Sequence, residues 1–246
     1  MNNIDVLLIP EERFCKEKEL GGKLIVVIDV LRASSTIVTA LARGCNGFIP
    51  IFSPDEAKDK AKEFTKGEVL LGGERKGRKI EGFVLGNSPR EYKKKIIKDK
   101  IIIFTTTNGV KTLEMAKNAS GIVICSFLNL KAVCDYCLNF KGDVLVICAG
   151  KEGKFSLEDS VCAGMLINSL RKKSPEFYRE TDANLTVQIL YNQYTDNILR
   201  MLRKSQHGQY LESIGLEKDL EFCSSVDIFD IVPIFKDRMI ISCKHN

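Results

Sequence analysis

Chemistry in this sequence is concentrated where apolar runs stop. Residues 24–28 read Leu-Ile-Val-Val-Ile, and Asp29 follows at once, with Arg32, Ser34, Ser35 and Thr36 a few positions on. After the run 101–104 come Thr105, Thr106, Thr107, Asn108 and Gly109. Gly72 and Gly73 lead into Glu74 and Arg75, and a glycine-rich stretch then reaches Gly86-Asn87-Ser88-Pro89-Arg90. After the run 144–147, Ser156 precedes Glu158 and Asp159. Carboxylates, arginines and small hydroxyl or amide donors therefore recur beside strand ends, the rim where open α/β sheets bind ligands. Any one of these stretches has a plainer account: Asp29 as a turn former, Ser34 or Ser35 as an N-cap, consecutive threonines finishing a strand. Recurrence of one layout favours a site.

The residue types define the chemistry. Exposed amides and hydroxyls at a helix start favour anions, and arginine forks match phosphate or carboxylate. Carboxylates gathered beside anion donors suit Mg²⁺, which is held by one or two carboxylates together with substrate oxygens. Phosphate monoester hydrolysis uses that kit. It is a demanding reaction, with accelerations up to ~10²¹ over the uncatalysed rate. General acid–base catalysis supplies only about 10²–10⁴. Metal and preorganised electrostatics must then supply most of the rest.

The elements that must position these residues are legible from periodicity. Short β-rich apolar runs at 4–9, 24–28, 48–52, 68–71, 101–104, 122–124 and 144–147 read as strands. Helical patterns separate them: residues 36–44, a helix opened by Ser53-Pro54-Asp55-Glu56 with capping-box spacing, and helices after Gly109, through Leu130 and Val133, and from Ser156. The alternation predicts an α/β fold with a mostly parallel or mixed sheet flanked by helices. The chain reads as a single functional unit over 1–246, and two α/β lobes with the site in the cleft fit its length. Beyond residue 198 the pattern is less regular. His207 lies in the polar segment Lys204-Ser205-Gln206-His207-Gly208, and Met239 to Ser242 read as an edge strand.

Composition narrows the classes. A 246-residue chain with 44% hydrophobic and 28% charged residues is globular in character. A net charge of +5 is mild: it helps recruit an anionic small molecule and does not call for nucleic acid. No apolar run approaches the ~18 residues needed to span a bilayer. Nine cysteines, an odd number set in apolar segments, read as reduced thiols of a cytoplasmic protein. Cys134 and Cys137 form a lone CxxC in a helical pattern, which reads as packing. Oligomeric state is not legible, a homodimer being one option.

Five ordered motifs carry a resemblance. Asp29-Val30-Leu31-Arg32-Ala33-Ser34-Ser35-Thr36, Gly72-Gly73-Glu74-Arg75, Leu85-Gly86-Asn87-Ser88-Pro89, Thr105-Thr106-Thr107-Asn108-Gly109 and Glu158-Asp159-Ser160 together resemble the 2-phosphosulfolactate phosphatases of coenzyme M biosynthesis. The resemblance implies an α/β enzyme, a Mg²⁺-dependent acid phosphatase that converts (2R)-2-phospho-3-sulfolactate to 3-sulfolactate and phosphate. On it, Asp29 is metal ligand or nucleophile, Glu74 a second catalytic carboxylate, and Asp29, Glu74 and Asp159 the carboxylates at the metal. Arg32, Arg75, Ser34, Ser35, Asn87, Ser88, Thr106, Thr107, Asn108 and Gly109 would hold the anionic groups of a phosphorylated 2-hydroxy acid. Two alternatives stay open. A haloacid-dehalogenase-like phosphatase expects a second Asp two residues past the first, where this chain has Leu31. A non-catalytic anion-binding module needs the donors but has no use for converging carboxylates.

Overall fold

The architecture is that of a computed structural model, which describes residues 3–10, 20–107 and 109–243. The protein is α/β, as the alternation predicts. Ten strands form one mixed sheet among the described residues: β1 (Ile4–Leu7), β2 (Leu24–Ile28), β3 (Gly47–Pro50), β4 (Val69–Arg75), β5 (Arg78–Lys79), β6 (Ile101–Thr105), β7 (Gly121–Cys125), β8 (Val144–Cys148), β9 (Val232–Lys236) and β10 (Met239–Cys243). Their order across the sheet is β1-β8-β2-β7-β9-β10-β3-β6-β4-β5.

Two parallel sets make up the sheet. β1, β8, β2 and β7 run together, as do β3, β6 and β4. The β9–β10 hairpin joins them through antiparallel pairing with β7 on one side and β3 on the other. Here the structure corrects a sequence expectation. Residues 239–243 are not an edge strand but lie mid-sheet, between β9 and β3.

The central strands are apolar at every position because both faces are covered, as in buried parallel sheets. Leu24, Val26 and Ile28 of β2 point into one apolar cluster, with Val123 and Val146 of the neighbouring strands. Ile25 and Val27 point into the other. That second cluster also takes Phe48 of β3, Ile102 and Phe104 of β6, and the faces of two helices, α1 (Ala33–Ala42) and, after α2 (Pro54–Ala61) and α3 (Lys94–Ile97), α4 (Gly109–Ala116). Both strand sets therefore share one core, and this packing brings the ends of β2 and β6 to one place although the hairpin reverses strand direction between them. Phe48, Tyr92 and Phe104 anchor it, with Phe48 and Phe104 edge-to-face at 5.2 Å.

The first cluster is closed by helices of the C-terminal half. After α5 (Leu130–Asn139) come α6 (Leu157–Lys173), α7 (Asp182–Tyr194), α8 (Ile198–Lys204), α9 (Gln206–Ser213) and α10 (Glu217–Cys223). The regular helix over 182–194 is not among the elements legible in the sequence. It packs hard on α6, where Gly164 makes room: a Cβ there would lie 2.0 Å from the Val187 carbonyl oxygen. Cys134 and Cys137 are both buried in α5, as packing requires. Among the described residues no helix is long and apolar enough to cross a membrane.

Candidate active site

A cavity of about 520 Å³ opens between the ends of the two strand sets and the C-terminal helices; its lining includes Asp29, Arg32, Glu74, Arg75, Asn87, Thr106, Thr107, Lys151, His207 and Tyr210. The first seven of these are expected site residues, and they meet here although they come from four separate segments.

Asp29 follows β2 directly and is 7% exposed. The turn into α1 is stitched locally. The Asp29 amide donates to Ser34 Oγ at 2.9 Å, the Ser34 amide donates to the Asp29 carbonyl at 2.8 Å, and the Ala33 amide reaches Asp29 Oδ1 at 3.2 Å. Ser35 Oγ donates to the Val30 carbonyl at 2.8 Å. The two serines expected to hold anions are therefore engaged in holding this turn, and neither lines the cavity. Burial pushes the Asp29 carboxyl up to about 7, with Glu74 and Glu158 adding to the rise and the Ala33 amide and Arg32 opposing it.

Glu74 sits inside a strand, not beyond one. β4 continues through Gly72 and Gly73 to Arg75, correcting the expectation that the glycines end it. Gly73 is required there. Its φ is +148° and a Cβ would lie 2.2 Å from the Thr105 carbonyl oxygen of β6. The Glu74 carboxylate accepts from the Gly77 amide at 2.8 Å and from the Thr107 amide and hydroxyl at 3.3 and 3.2 Å. Thr107 thus orients Glu74 while facing the same cavity. Arg75 is braced by the Glu74 carbonyl at 2.9 Å and by the Phe52 carbonyl, with its guanidinium 5.7 Å over the Phe52 ring.

Arg32 is 3% exposed, yet its guanidinium reaches the cavity wall. Nη1 donates to Asp219 Oδ2 at 2.6 Å and Nη2 to the Gly77 carbonyl at 2.6 Å. A guanidinium carries five donors, so about three remain for a ligand. Ser88 lies behind the wall, its hydroxyl donating to Asp219 Oδ1 at 2.6 Å. Asn87 does line the cavity, and its Oδ1 is buried without a hydrogen-bond partner among the described residues. Gly109 backs Thr106 and Asp29 from a smaller void, and Asn108 lies outside the described residues.

Asp159 is not on the cavity lining. Its Oδ1 accepts the Val30 amide at 2.9 Å and its Oδ2 the Gly150 amide at 3.1 Å. It ties the ends of β2 and β8 together by accepting one backbone amide from the turn that follows each strand. Its carboxyl is pushed well up by burial and by Glu158 and Asp29. Among the described residues, no group of three or more His, Cys, Asp or Glu side chains is placed to hold a metal ion. Of the three carboxylates expected at a metal, the structure brings Asp29 and Glu74 to the cavity.

The C-terminal half adds residues that the sequence motifs do not include. Lys151, in the loop after β8, stands 5.0 Å over the Tyr210 ring, and the Tyr210 hydroxyl donates to the Lys76 carbonyl at 2.8 Å. His207 Nδ1 lies 3.8 Å from Glu158 Oε1. That is beyond hydrogen-bond reach. Burial, with Lys151 and Arg32 nearby, pulls the imidazole down to about 3, so it is neutral and the contact is no ion pair. The polar segment 204–208 is the sequence signal for His207. Lys151 and Tyr210 have none, because only tertiary packing brings them here.

The cavity therefore combines two buried carboxylates, two arginines, two lysines and threonine hydroxyls. The chemistry of such a set suits a small polyanion, with carboxylate oxygens lining the same space.

Comparison with known proteins agrees with this chemistry. A family profile described as 2-phosphosulpholactate phosphatase matches residues 8–238. A protein of Clostridium botulinum strain Alaska E43, named probable 2-phosphosulfolactate phosphatase, is 38% identical over 238 residues, covering 97% of this chain and 98% of its own length. Proteins of the same name from Caldanaerobacter subterraneus subsp. tengcongensis and Symbiobacterium thermophilum are each 40% identical; they cover 91% of this chain and 92% and 96% of their own lengths.

Proposed function

We propose that this chain, which belongs to the 2-phosphosulpholactate phosphatase family, is a Mg²⁺-dependent phosphomonoester hydrolase converting (2R)-2-phospho-3-sulfolactate to 3-sulfolactate and phosphate. The observation that carries this reading is the meeting of Asp29 and Glu74 with Arg32, Arg75, Lys151 and Thr106 around one cavity. A substrate bearing phosphate, carboxylate and sulfonate needs an unusually donor-rich pocket, and Arg32, Arg75, Lys76 and Lys151, all on the cavity lining, supply it with threonine hydroxyls.

The donor set fits Mg²⁺. Asp29 and Glu74 are the two carboxylates that would hold it, with substrate oxygens completing a hard-cation site. Two features support a ligand of that kind: burial and acidic neighbours destabilise the ionised form of Asp29, and Asn87 Oδ1 is an acceptor with no partner among the described residues. When bound, Mg²⁺ would supply charge neutralisation at the phosphoryl oxygens.

The chain's own side chains do the remaining work. Arg75 and Arg32 grip anionic groups with forks held by protein carbonyls and Asp219, so little reorganisation accompanies binding. Thr107 fixes Glu74. Lys151, backed by Tyr210, provides a further cation on the cavity lining for a second anionic group. Asp29 is the reacting carboxylate, and trapping an acyl phosphate on it separates attack by Asp29 itself from activation of water. We place the activity in the cytoplasm, in keeping with seven buried cysteines that are free thiols among the described residues.

The test is phosphate release from 2-phospho-3-sulfolactate and other phosphorylated 2-hydroxy acids as Mg²⁺ is titrated. Turnover abolished by EDTA and by Asp29→Asn is expected. Binding without turnover, tightened by Asp29→Asn, would make the protein an anion-binding module instead, and turnover indifferent to EDTA would remove the metal.

A further inference from the structure

Asp219 is fully buried on α10, 187 residues from Arg32 and 131 from Ser88, yet it joins both. Its Oδ2 takes Arg32 Nη1 and its Oδ1 takes Ser88 Oγ, each at 2.6 Å. Asp219 does not itself line the cavity. With Nη1 fixed by Asp219 and Nη2 by the Gly77 carbonyl, the guanidinium plane is set from two sides. A planar fork so held has its remaining donors aimed before a ligand arrives. The helix that carries Asp219 is held in turn: Arg43, just past α1, lies 5.6 Å over the Phe222 ring and donates to the Tyr92 carbonyl at 3.0 Å.

We propose that Asp219 is a positioning residue for the phosphatase reaction, holding the Arg32 guanidinium in the orientation from which it grips the substrate anion. The proposal rests on the reading of Arg32 as a substrate contact. It gives the C-terminal helices a part in the chemistry of the motif at residues 29–36, to which they contribute no catalytic group. An arginine that grips the anion in ground and transition states alike acts on KM more than on kcat. A misaimed fork loses that grip in the same way.

The experiment is a double-mutant cycle in the full chain, reading kcat, KM and thermal stability for Asp219→Ala, Asp219→Asn, Arg32→Ala and the combined variants. Asp219→Ala is expected to raise KM by about tenfold or more with kcat little changed, the scale of one charged hydrogen bond. Asp219→Asn recovers most of the loss, since its amide oxygen can face Arg32 while its NH₂ donates to Ser88 Oγ. In the Arg32→Ala background neither substitution changes KM by more than about twofold. A merely structural prop lowers the melting temperature but leaves its kinetic effect the same in both backgrounds, and that result overturns the proposal. So does an unchanged KM for both Asp219 variants beside a raised KM for Arg32→Ala. Wild-type kinetics for Arg32→Ala would instead remove Arg32 from the substrate, and the proposal with it. Should Asp219→Ala not fold, Asp219→Ser, whose single short hydroxyl cannot replace the two carboxylate oxygens that hold Arg32 Nη1 and Ser88 Oγ, carries the same cycle with the same expected rise.

Discussion

Replacing Asp29 by asparagine should stabilise the metal-free protein while destroying its activity. The Asp29 carboxyl is raised from 3.8 to about 7, first by burial and then by Glu74 and Glu158. At 1.36 kcal/mol per pH unit, that difference corresponds to about 4 kcal/mol when the group is ionised. The sign follows from proton binding. The folded protein holds the proton more tightly than the unfolded chain, so Asp29 favours the fold below its unfolded value of 3.8, and that contribution is lost as pH rises through about 7. An asparagine side chain at this position cannot ionise, and its amide oxygen can still accept the Ala33 N–H that Asp29 Oδ1 accepts at 3.2 Å. Urea unfolding in EDTA, measured across this range, should therefore show Asp29→Asn more stable than the parent by up to about 4 kcal/mol near pH 8, converging near pH 4. Added Mg²⁺ should close the gap by binding the parent alone. Equal stability at pH 8, or a difference that does not vary with pH, would refute the reasoning, because it would mean the carboxylate is already compensated by the protein.

Two further outcomes follow from the geometry. His207 works in the opposite sense. Its imidazole is lowered from 6.5 to about 3, so the unfolded chain takes up a proton that the folded protein does not, and stability falls as pH drops from 6.5 toward 3. His207→Gln should flatten that acid limb by a few kcal/mol in the same urea titrations, roughly 1.36 kcal/mol recovered per pH unit. An unchanged acid limb would mean the imidazole is protonated in the fold. Gly73→Ala should cost about 2–3 kcal/mol and lower turnover with it, because a Cβ 2.2 Å from the Thr105 carbonyl oxygen must push β4, and Glu74 with it, off β6. Parental stability in this variant would show that the β4–β6 pairing relaxes freely at Gly73.

Much of the fold was legible because the relevant physics is local. β2, β6 and β8 announce themselves as runs of apolar β-formers, since both faces of each are buried and no polar residue interrupts them. Ser53 and Ser156 mark helix starts, and each accepts the amide three residues on. Asp29, Glu74, Arg75, Thr106 and Thr107 were legible for a related reason: polar residues that end or interrupt such strands have nowhere to go but the rim.

What the sequence left open depends on which strands pair and which distant segments meet. An isolated apolar pattern at 239–243 says nothing about its neighbours, so only pairing with both β9 and β3 puts it mid-sheet. Local spacing likewise marked Asp159 as one more acid at a strand end. The tertiary fold turned its oxygens to the Val30 and Gly150 amides and used Ser34 and Ser35 to close a turn. Asp219, Lys151 and Tyr210 carry no sequence signal at all, since an aspartate on a helix or a lysine in a loop is ordinary until packing sets it against a guanidinium, a ring or a cavity. Side-chain periodicity is a property of a few neighbouring residues and is written in the chain. Convergence on a site depends on contacts between segments far apart in the chain, and only the packed core, in which both strand sets share one face, decides it.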